Sequence, residues 1–352
     1  MVALSSGCAI VSIVQMKKTI LVTGGAGFIG SNFIHYILAQ HPDWNVINLD
    51  KLTYAGSLAN LTGGENSTRY RFVRGDICDK NATIPLVEES DLVINFAAET
   101  HVDRSIQDPG DFVLTDVFGT YVLLEAMRNA SRPKRFIQIS TDEVYGAIEI
   151  GSAKESDALA PRNPYAASKA GADRLAYSYF ITYGLPIIIT RASNNYGPRQ
   201  YPEKVIPLFV TNAMEDQALP LYGNGLQIRD WLHVNDHCRA IDILLELGTD
   251  GETYNIGGSH ELKNITLAGK ILEFLNKPED LIKNVADRPG HDLRYSLDTR
   301  KLQELGWKPE VDFESGLKKT IQWYQENKKW WQHIKKESTL YRDFQKRQYG
   351  TS

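Results

Sequence analysis

The sequence predicts a doubly wound parallel α/β sheet with a smaller mixed α/β lobe towards the C-terminus, on three observations. Near-continuous apolar runs alternate with helix-length segments through the first half of the chain. A glycine-rich turn joins the first run to the first helical pattern. After Thr190 the alternation gives way to shorter elements broken by proline and glycine. Strands that are apolar on both faces belong in a sheet covered on both sides, which is the setting of parallel strands.

The apolar runs lie at 19–23, 45–49, 70–73, 92–96, 136–139 and 187–189. Right-handed crossovers between such strands make the Rossmann topology the expected arrangement. In the second half, Gly197-Pro198, Tyr201-Pro202 and Gly223-Asn224-Gly225 punctuate the chain, and helical patterns return at Val234–Leu247, 266–275 and 314–328. The expected organisation is a Rossmann domain over 16–190 with a return segment at 230–256, and a second lobe built from 191–229 and 257–330. Residues 1–15 are expected to be a dispensable extension, with Met16 the natural functional start. The basic, aromatic tail over 331–352, with Trp330-Trp331 at its root, is expected to be a solvated helix that docks its two indoles.

Charge and cysteine usage exclude several classes. Over 352 residues, 39 basic and 43 acidic side chains leave a net charge of −4, so no global field attracts nucleic acid or an anionic membrane. An anionic substrate must be gripped by a few local arginines and lysines. Three cysteines, Cys8, Cys78 and Cys238, are too few and too scattered for a disulfide framework or a metal cluster. The segment 1–15 lacks the basic start of a secretory signal and falls short of a ~20-residue membrane span, so a cytoplasmic location is expected. His233 and His237 have helix-compatible metal spacing without a third ligand, and no metal is expected.

The first strand ends in Gly24-Gly25-Ala26-Gly27-Phe28-Ile29-Gly30, and a helical pattern starts at once. Glycines there let backbone N–H groups and the helix N-terminus approach a pyrophosphate without Cβ interference. A tight structural turn has similar letters, but Asp50 also ends the second strand. A carboxylate at that position accepts hydrogen bonds from ribose hydroxyls and repels a 2′-phosphate, which selects NAD over NADP. Gly24, Gly27, Phe28, Ile29 and Gly30 would then surround the pyrophosphate, with Asp50, Lys51, Leu52 and Thr53 beside the ribose. Asp76 and Ile77, after the third strand, suit the adenine amino group and ring face. Phe96, Ala97 and Ala98 close the fourth, where small residues let the chain pass under the cofactor.

Tyr165 and Lys169 stand four apart at the start of a helical pattern, on one face, so the ammonium can lie near the phenol. A free phenol has a pKa of ~10 and needs lowering by about three units to act as a base near neutrality. A positive charge at ~4 Å, at an effective dielectric near 20, contributes roughly that much. The fifth strand ends in Ser140-Thr141-Asp142-Glu143, at the end of the sheet that faces a cofactor. A plain alcohol oxidation needs the Thr141 hydroxyl there but has no use for two adjacent carboxyls. Elimination of water does, since one group must take a proton from carbon and another must protonate the departing hydroxyl. The plainer alternative is that Asp142 and Glu143 merely cap the following turn.

Together with Ser193-Asn194-Asn195-Tyr196-Gly197-Pro198, these motifs resemble the extended short-chain dehydrogenase/reductase family and, within it, the dTDP-glucose 4,6-dehydratases, from Met16 to about Tyr324. The resemblance implies that Tyr165 takes the 4-hydroxyl proton as a hydride leaves C4 for NAD⁺. It gives Glu143 the C5 proton and makes Asp142 the acid for the 6-hydroxyl, with the hydride returned to C6. It places Thr100 and Asn194 at the sugar or phosphates, and Thr115 and Asn195 on the cofactor side. Around the nucleotide it places Glu203, Lys204, Val205, Pro220, Tyr222, Arg229, Asn264, Arg288 and His291. Arg229 and Arg288 would clamp the diphosphate bidentately and Tyr222 would offer a stacking face. It also implies a homodimer paired through the helical segments 112–128 and 165–183. Ala192 stands where a cysteine often precedes Ser-Asn-Asn, and the segment between Tyr145 and Tyr165 is shorter than in many members. The nearest alternatives are an epimerase, a UDP-linked dehydratase or a decarboxylase of the same fold, and, from another class, a catalytically silent NAD-binding scaffold.

Overall fold

The computed structural model describes residues 17–132 and 134–350; the expectations for 1–15 fall outside the described residues. β1 (Thr19–Thr23), β2 (Asn45–Asp50), β3 (Tyr70–Arg74), β4 (Leu92–Asn95), β5 (Arg135–Thr141) and β6 (Ile187–Ala192) are the six expected strands, with β2 and β5 lengthened to include Asp50 and Thr141. A seventh strand joins them from far along the chain. After β7 (Asn194–Tyr196), β8 (Leu219–Tyr222) and β9 (Ile228–His233), the chain returns as β10 (Thr253–Ile256), which pairs with β6. The sheet order is β10-β6-β5-β4-β1-β2-β3, and every pair is parallel. The strand order reverses between β1 and β4, and a crevice opens at the carboxyl ends there.

Alternation along each strand feeds two cores. Ile20 and Val22 pack with Phe33, Ile34, Ile241 and Leu244 under the helices Phe28–Gln40 and Val234–Leu247. Leu21 points the other way, with Val93, Leu123, Phe136 and Ala176, under helices that include Thr120–Arg128 and Pro164–Tyr183. The second lobe has its own core around Phe209, Leu221, Trp231, Leu267 and Tyr324. It carries two small sheets, β7 and β9 with β11 (Glu261–Lys263), and β8 with β12 (Ile282–Val285).

Two elements differ from the sequence reading. The expected helix at 112–128 contains a π-helical stretch, Val113–Gly119, between α-helical flanks. The tail docks its two indoles, Trp331 buried and Trp330 packed on the second core, but it forms two helices, Lys328–Glu337 and Thr339–Tyr349, and buries Tyr341 and Phe344 as well. Ser338 breaks the two and caps the second by accepting from the Tyr341 N–H. No helix among the described residues is long and apolar enough to cross a membrane.

Candidate active site

The carboxyl ends of β1, β2 and β4 open onto a cavity of about 290 Å³. Its floor is the glycine turn, and the glycines are required by contact. A Cβ on Gly24 (φ 67°) would meet the Ala97 nitrogen at 2.6 Å, and one on Gly30 would meet the Gly24 carbonyl oxygen at 2.4 Å. Gly27 caps the helix Phe28–Gln40 without any side-chain hydrogen bond, so the first N–H groups of that helix remain for an anion. Asp50 is buried and accepts from the Ala26 N–H (2.8 Å) and the Leu52 N–H (2.7 Å). A carboxylate has about four acceptor sites, so two remain for ribose hydroxyls. Lys51, Thr53, Asp76, Ile77, Phe96, Ala97, Ala98, Thr100 and Thr115 line the same cavity, and Lys51 is ion-paired with Asp76 at 2.7 Å. Leu52 is the exception: it turns at φ 58° and packs its side chain on the core. The donors, the carboxylate and the shape fit a dinucleotide without a 2′-phosphate.

At the far end of this cavity, β5 delivers Thr141, Asp142 and Glu143, while the helix Pro164–Tyr183 delivers Tyr165 and Lys169. The helix starts where it does because Asn163 accepts from the Ala166 N–H and Pro164 occupies its first position. The same Asn163 donates to Glu143 Oε2 at 3.1 Å. Asp142 lies deeper. The Thr141 hydroxyl donates to its Oδ1 at 3.1 Å, while its Oδ2 is buried with no partner. Burial, and then the neighbouring Glu143 carboxylate, push the Asp142 carboxyl up to about 8. Asp142 thus holds a proton at neutrality, and Glu143 beside it sits half-buried, bonded to Asn163.

The expected effect of Lys169 on Tyr165 is not what the structure shows. Burial first, then Glu143 and Asp116, raise the Tyr165 phenol well above its ordinary value. Lys169 is itself lowered by burial, donates to the Ile139 carbonyl at 2.6 Å, and faces Asp116 and Asp173. Asp116 is a carboxyl that the sequence argument did not count. It comes from the π-helical stretch, accepts from Ser168 (2.6 Å) and from the Glu99 N–H (2.9 Å), and is pushed by burial up to about 6.

A second pocket, of about 150 Å³, adjoins Glu143 and is lined by Asn194, Glu203, Lys204, Val205, Pro220, Tyr222, Arg229, Asn264, Arg288 and His291. Asn195 lines both pockets and bonds His237 Nδ1 at 3.0 Å. Arg229 is not paired with Asp230, whose carboxylate accepts from the Gly258 and His260 N–H groups. It donates instead to the Ile228 and Asp292 carbonyls, over the Tyr295 ring. Arg288 is no free clamp either: it pairs with the buried Asp103 at 2.8 Å and lies over the Tyr222 ring. A buried guanidinium needs partners in the absence of an anion, and these two have found them.

Several residues here are absent from the sequence reading. Glu99 lines the cofactor cavity, with its carboxyl pushed up to about 7 by burial, then by Asp116 and Asp111. Tyr295 reaches Glu143 and Asp292 at 3.5 and 2.7 Å, and Arg104 binds Glu203 at 2.9 Å. Asn163 is absent from that reading too, although it had a local signal, an Asn-Pro pair before a helical pattern.

The family model described as GDP-mannose 4,6 dehydratase matches residues 21–320. A dTDP-glucose 4,6-dehydratase of Streptomyces niveus is 52% identical over 323 residues, spanning 90% of this chain and 95% of that protein. The low-salt glycan biosynthesis protein Agl12 of Haloferax volcanii is also 52% identical, over 305 residues, 87% of this chain and 98% of its own. Among solved structures, the dTDP-glucose 4,6-dehydratase DesIV of Streptomyces venezuelae, with NAD and thymidine diphosphate bound, superposes with a TM-score of 0.88 at 50% identity. That match covers 90% of this chain and 99% of DesIV. With its parallel sheet, glycine turn and paired carboxyls, the chain belongs to the sugar-nucleotide 4,6-dehydratase family, on the dTDP-glucose 4,6-dehydratase branch.

Proposed function

We propose that the protein converts dTDP-glucose to dTDP-4-keto-6-deoxyglucose, for deoxysugar synthesis such as that of rhamnose. The observation that carries this reading is Asp142, buried and holding its proton at neutrality, directly beside Glu143, which lines both pockets and is bonded by Asn163. Tyr165 is the group placed to take the proton of the 4-hydroxyl as C4 is oxidised, which requires that its own phenol proton first be lost against the burial that raises it, and Thr141 holds that oxygen. Lys169, buried in the same cavity and bonded to the Ile139 carbonyl, faces the carboxyls of Asp116 and Asp173. The new ketone acidifies C5, and Glu143 removes its proton. Asp142 gives its own proton to the departing 6-hydroxyl, which leaves as water. NAD, when bound by the glycine turn and Asp50, supplies a reversible hydride acceptor, so the hydride taken from C4 is returned at C6 and no external reductant is consumed. Residues 16–190 with 230–256 hold the cofactor in this reading, and the rest of the second lobe holds the nucleotide.

Incubation with dTDP-glucose, UDP-glucose and GDP-mannose in D₂O tests it. The expected result is a 4-keto-6-deoxy product from dTDP-glucose carrying deuterium at C5. A 4-epimerase has no reason to exchange that position, and an unaltered carbon 6 would refute dehydration. Accumulation of free NADH would mark a simple dehydrogenase.

We also infer a homodimer. Val113, Leu114, Phe118, Tyr177 and Ile181 are exposed apolar side chains on two helical segments that pack together, 110–128 and 164–183. A patch of this kind supports burial against a second copy. A cytoplasmic setting suits the free Cys78 and Cys238 and the sugar-nucleotide substrate.

A further inference from the structure

The helix Thr339–Tyr349 does more than close the fold. Its end reaches the 150 Å³ pocket, where Tyr349 is one of the lining residues. The Tyr222 hydroxyl donates to Asp103 at 3.0 Å, shares a hydrogen bond with the Tyr349 hydroxyl at 3.2 Å, and accepts from Gln348 Nε2 at 2.8 Å. One proton and two lone pairs are all that a phenol hydroxyl offers, so the Tyr222 side chain is held from three directions. Two of the three come from this helix. Its approach is fixed in turn by Arg104, which donates to the Leu340 carbonyl and lies over the Phe344 ring at 4.6 Å, and by Gln107, which bonds Gln348. The rings of Tyr222 and Tyr349 stand 6.1 Å apart at 37°, with Arg288 on the Tyr222 face. In the same pocket the Asn264 Oδ1 atom is buried without a partner, an acceptor that a base N–H would fill.

We propose that Tyr349 is a specificity-determining residue for the nucleotide base, forming one wall of its pocket and holding Tyr222 in position. The inference rests on the reading of this pocket as the nucleotide half of the site. An aromatic wall excludes water and offers a face to a flat ring, and it acts on binding without touching the reacting carbons. Its removal therefore belongs in KM and not in kcat.

The experiment compares Tyr349→Ala and Tyr349→Phe with the unaltered full-length protein, using thymidine diphosphate as the binding probe and dTDP-glucose as substrate. Tyr349→Ala is expected to raise both the Kd and the KM about 3- to 10-fold, the size of an aromatic contact, with kcat and bound NAD within twofold. Tyr349→Phe keeps the wall and should lose less than Tyr349→Ala. Equal Kd values for Tyr349→Ala and the unaltered protein overturn the proposal, as does a kcat loss without a change in Kd. If the unaltered protein itself fails to bind thymidine diphosphate, the nucleotide reading of the pocket is what falls.

Discussion

Burial, and then the Glu143 carboxylate beside it, raise the Asp142 carboxyl to about 8, and the consequence can be read from pH. As the proton donor, Asp142 must be protonated, so turnover should fall as pH rises through about 8. The stability consequence has a definite sign. With a folded value of about 8 against an ordinary 3.8, the unfolded chain releases this proton first, so the fold loses stability between about pH 4 and pH 8. Asp142→Asn should therefore raise the melting temperature more at pH 8 than at pH 4 while abolishing elimination. An equal gain at both pH values would show that the carboxyl is ionised in the fold. Glu143→Gln keeps shape and hydrogen bonding but removes the base, and dehydration should fall by roughly 10²- to 10⁴-fold while C4 oxidation still produces enzyme-bound NADH. Tyr165→Phe should stop earlier, with little NADH formed. Near-normal dehydration by Glu143→Gln would return the pair to the role of turn caps.

At the scale of elements, the glycine turn has little tolerance because the atoms that a side chain would meet belong to the backbone. Gly30→Ala sets a Cβ 2.4 Å from the Gly24 carbonyl oxygen and 2.8 Å from Gly25 Cα, so the purified protein should carry much less NAD. Full retention of cofactor would show that the turn can move. This turn, the six apolar strands and the chemical triplet were legible because each depends on neighbouring letters. The π-helical stretch Val113–Gly119 was not. It holds Asp116 between Ser168 and the Glu99 N–H, and Gly119 against Ile77, whose Cδ1 would lie 2.4 Å from a Cβ there. Those partners are distant in sequence, so no local pattern announces them. The tail was read only in part, for a related reason. Its buried residues, Trp331, Tyr341 and Phe344, fall on two helices broken at Ser338, within an otherwise basic and polar stretch. The rise of the Tyr165 phenol has burial as its first cause, which no pair of letters shows, and Glu143 and then Asp116 add to it.

For the whole molecule, the exposed apolar side chains on 110–128 and 164–183 predict a dimer of about twice 39.6 kDa at micromolar concentration, which sedimentation checks. Phe118→Lys together with Ile181→Lys should shift the protein to monomer, and an unchanged mass would place the interface elsewhere. The strand β10 bears on how such a molecule is made. It completes the cofactor sheet from residues 253–256, after the chain has already laid down β7, β8 and β9 of the other lobe. The helix before it, Val234–Leu247, also covers the first core, and its Asp242 meets His41 at 2.7 Å. The cofactor half therefore has no contiguous stretch of gene that encodes it. A polypeptide ending after β6 would leave Ile187–Ala192 as an open, apolar edge and uncover the part of one sheet face that Val234–Leu247 packs on, a template for aggregation. Such long-range closure also makes refolding slow, because the loop entropy is lost before the last strand pairs. Expression of 17–192 alone should give insoluble material. Chimeras between relatives should keep solubility only when β10 and its preceding helix travel with the first six strands.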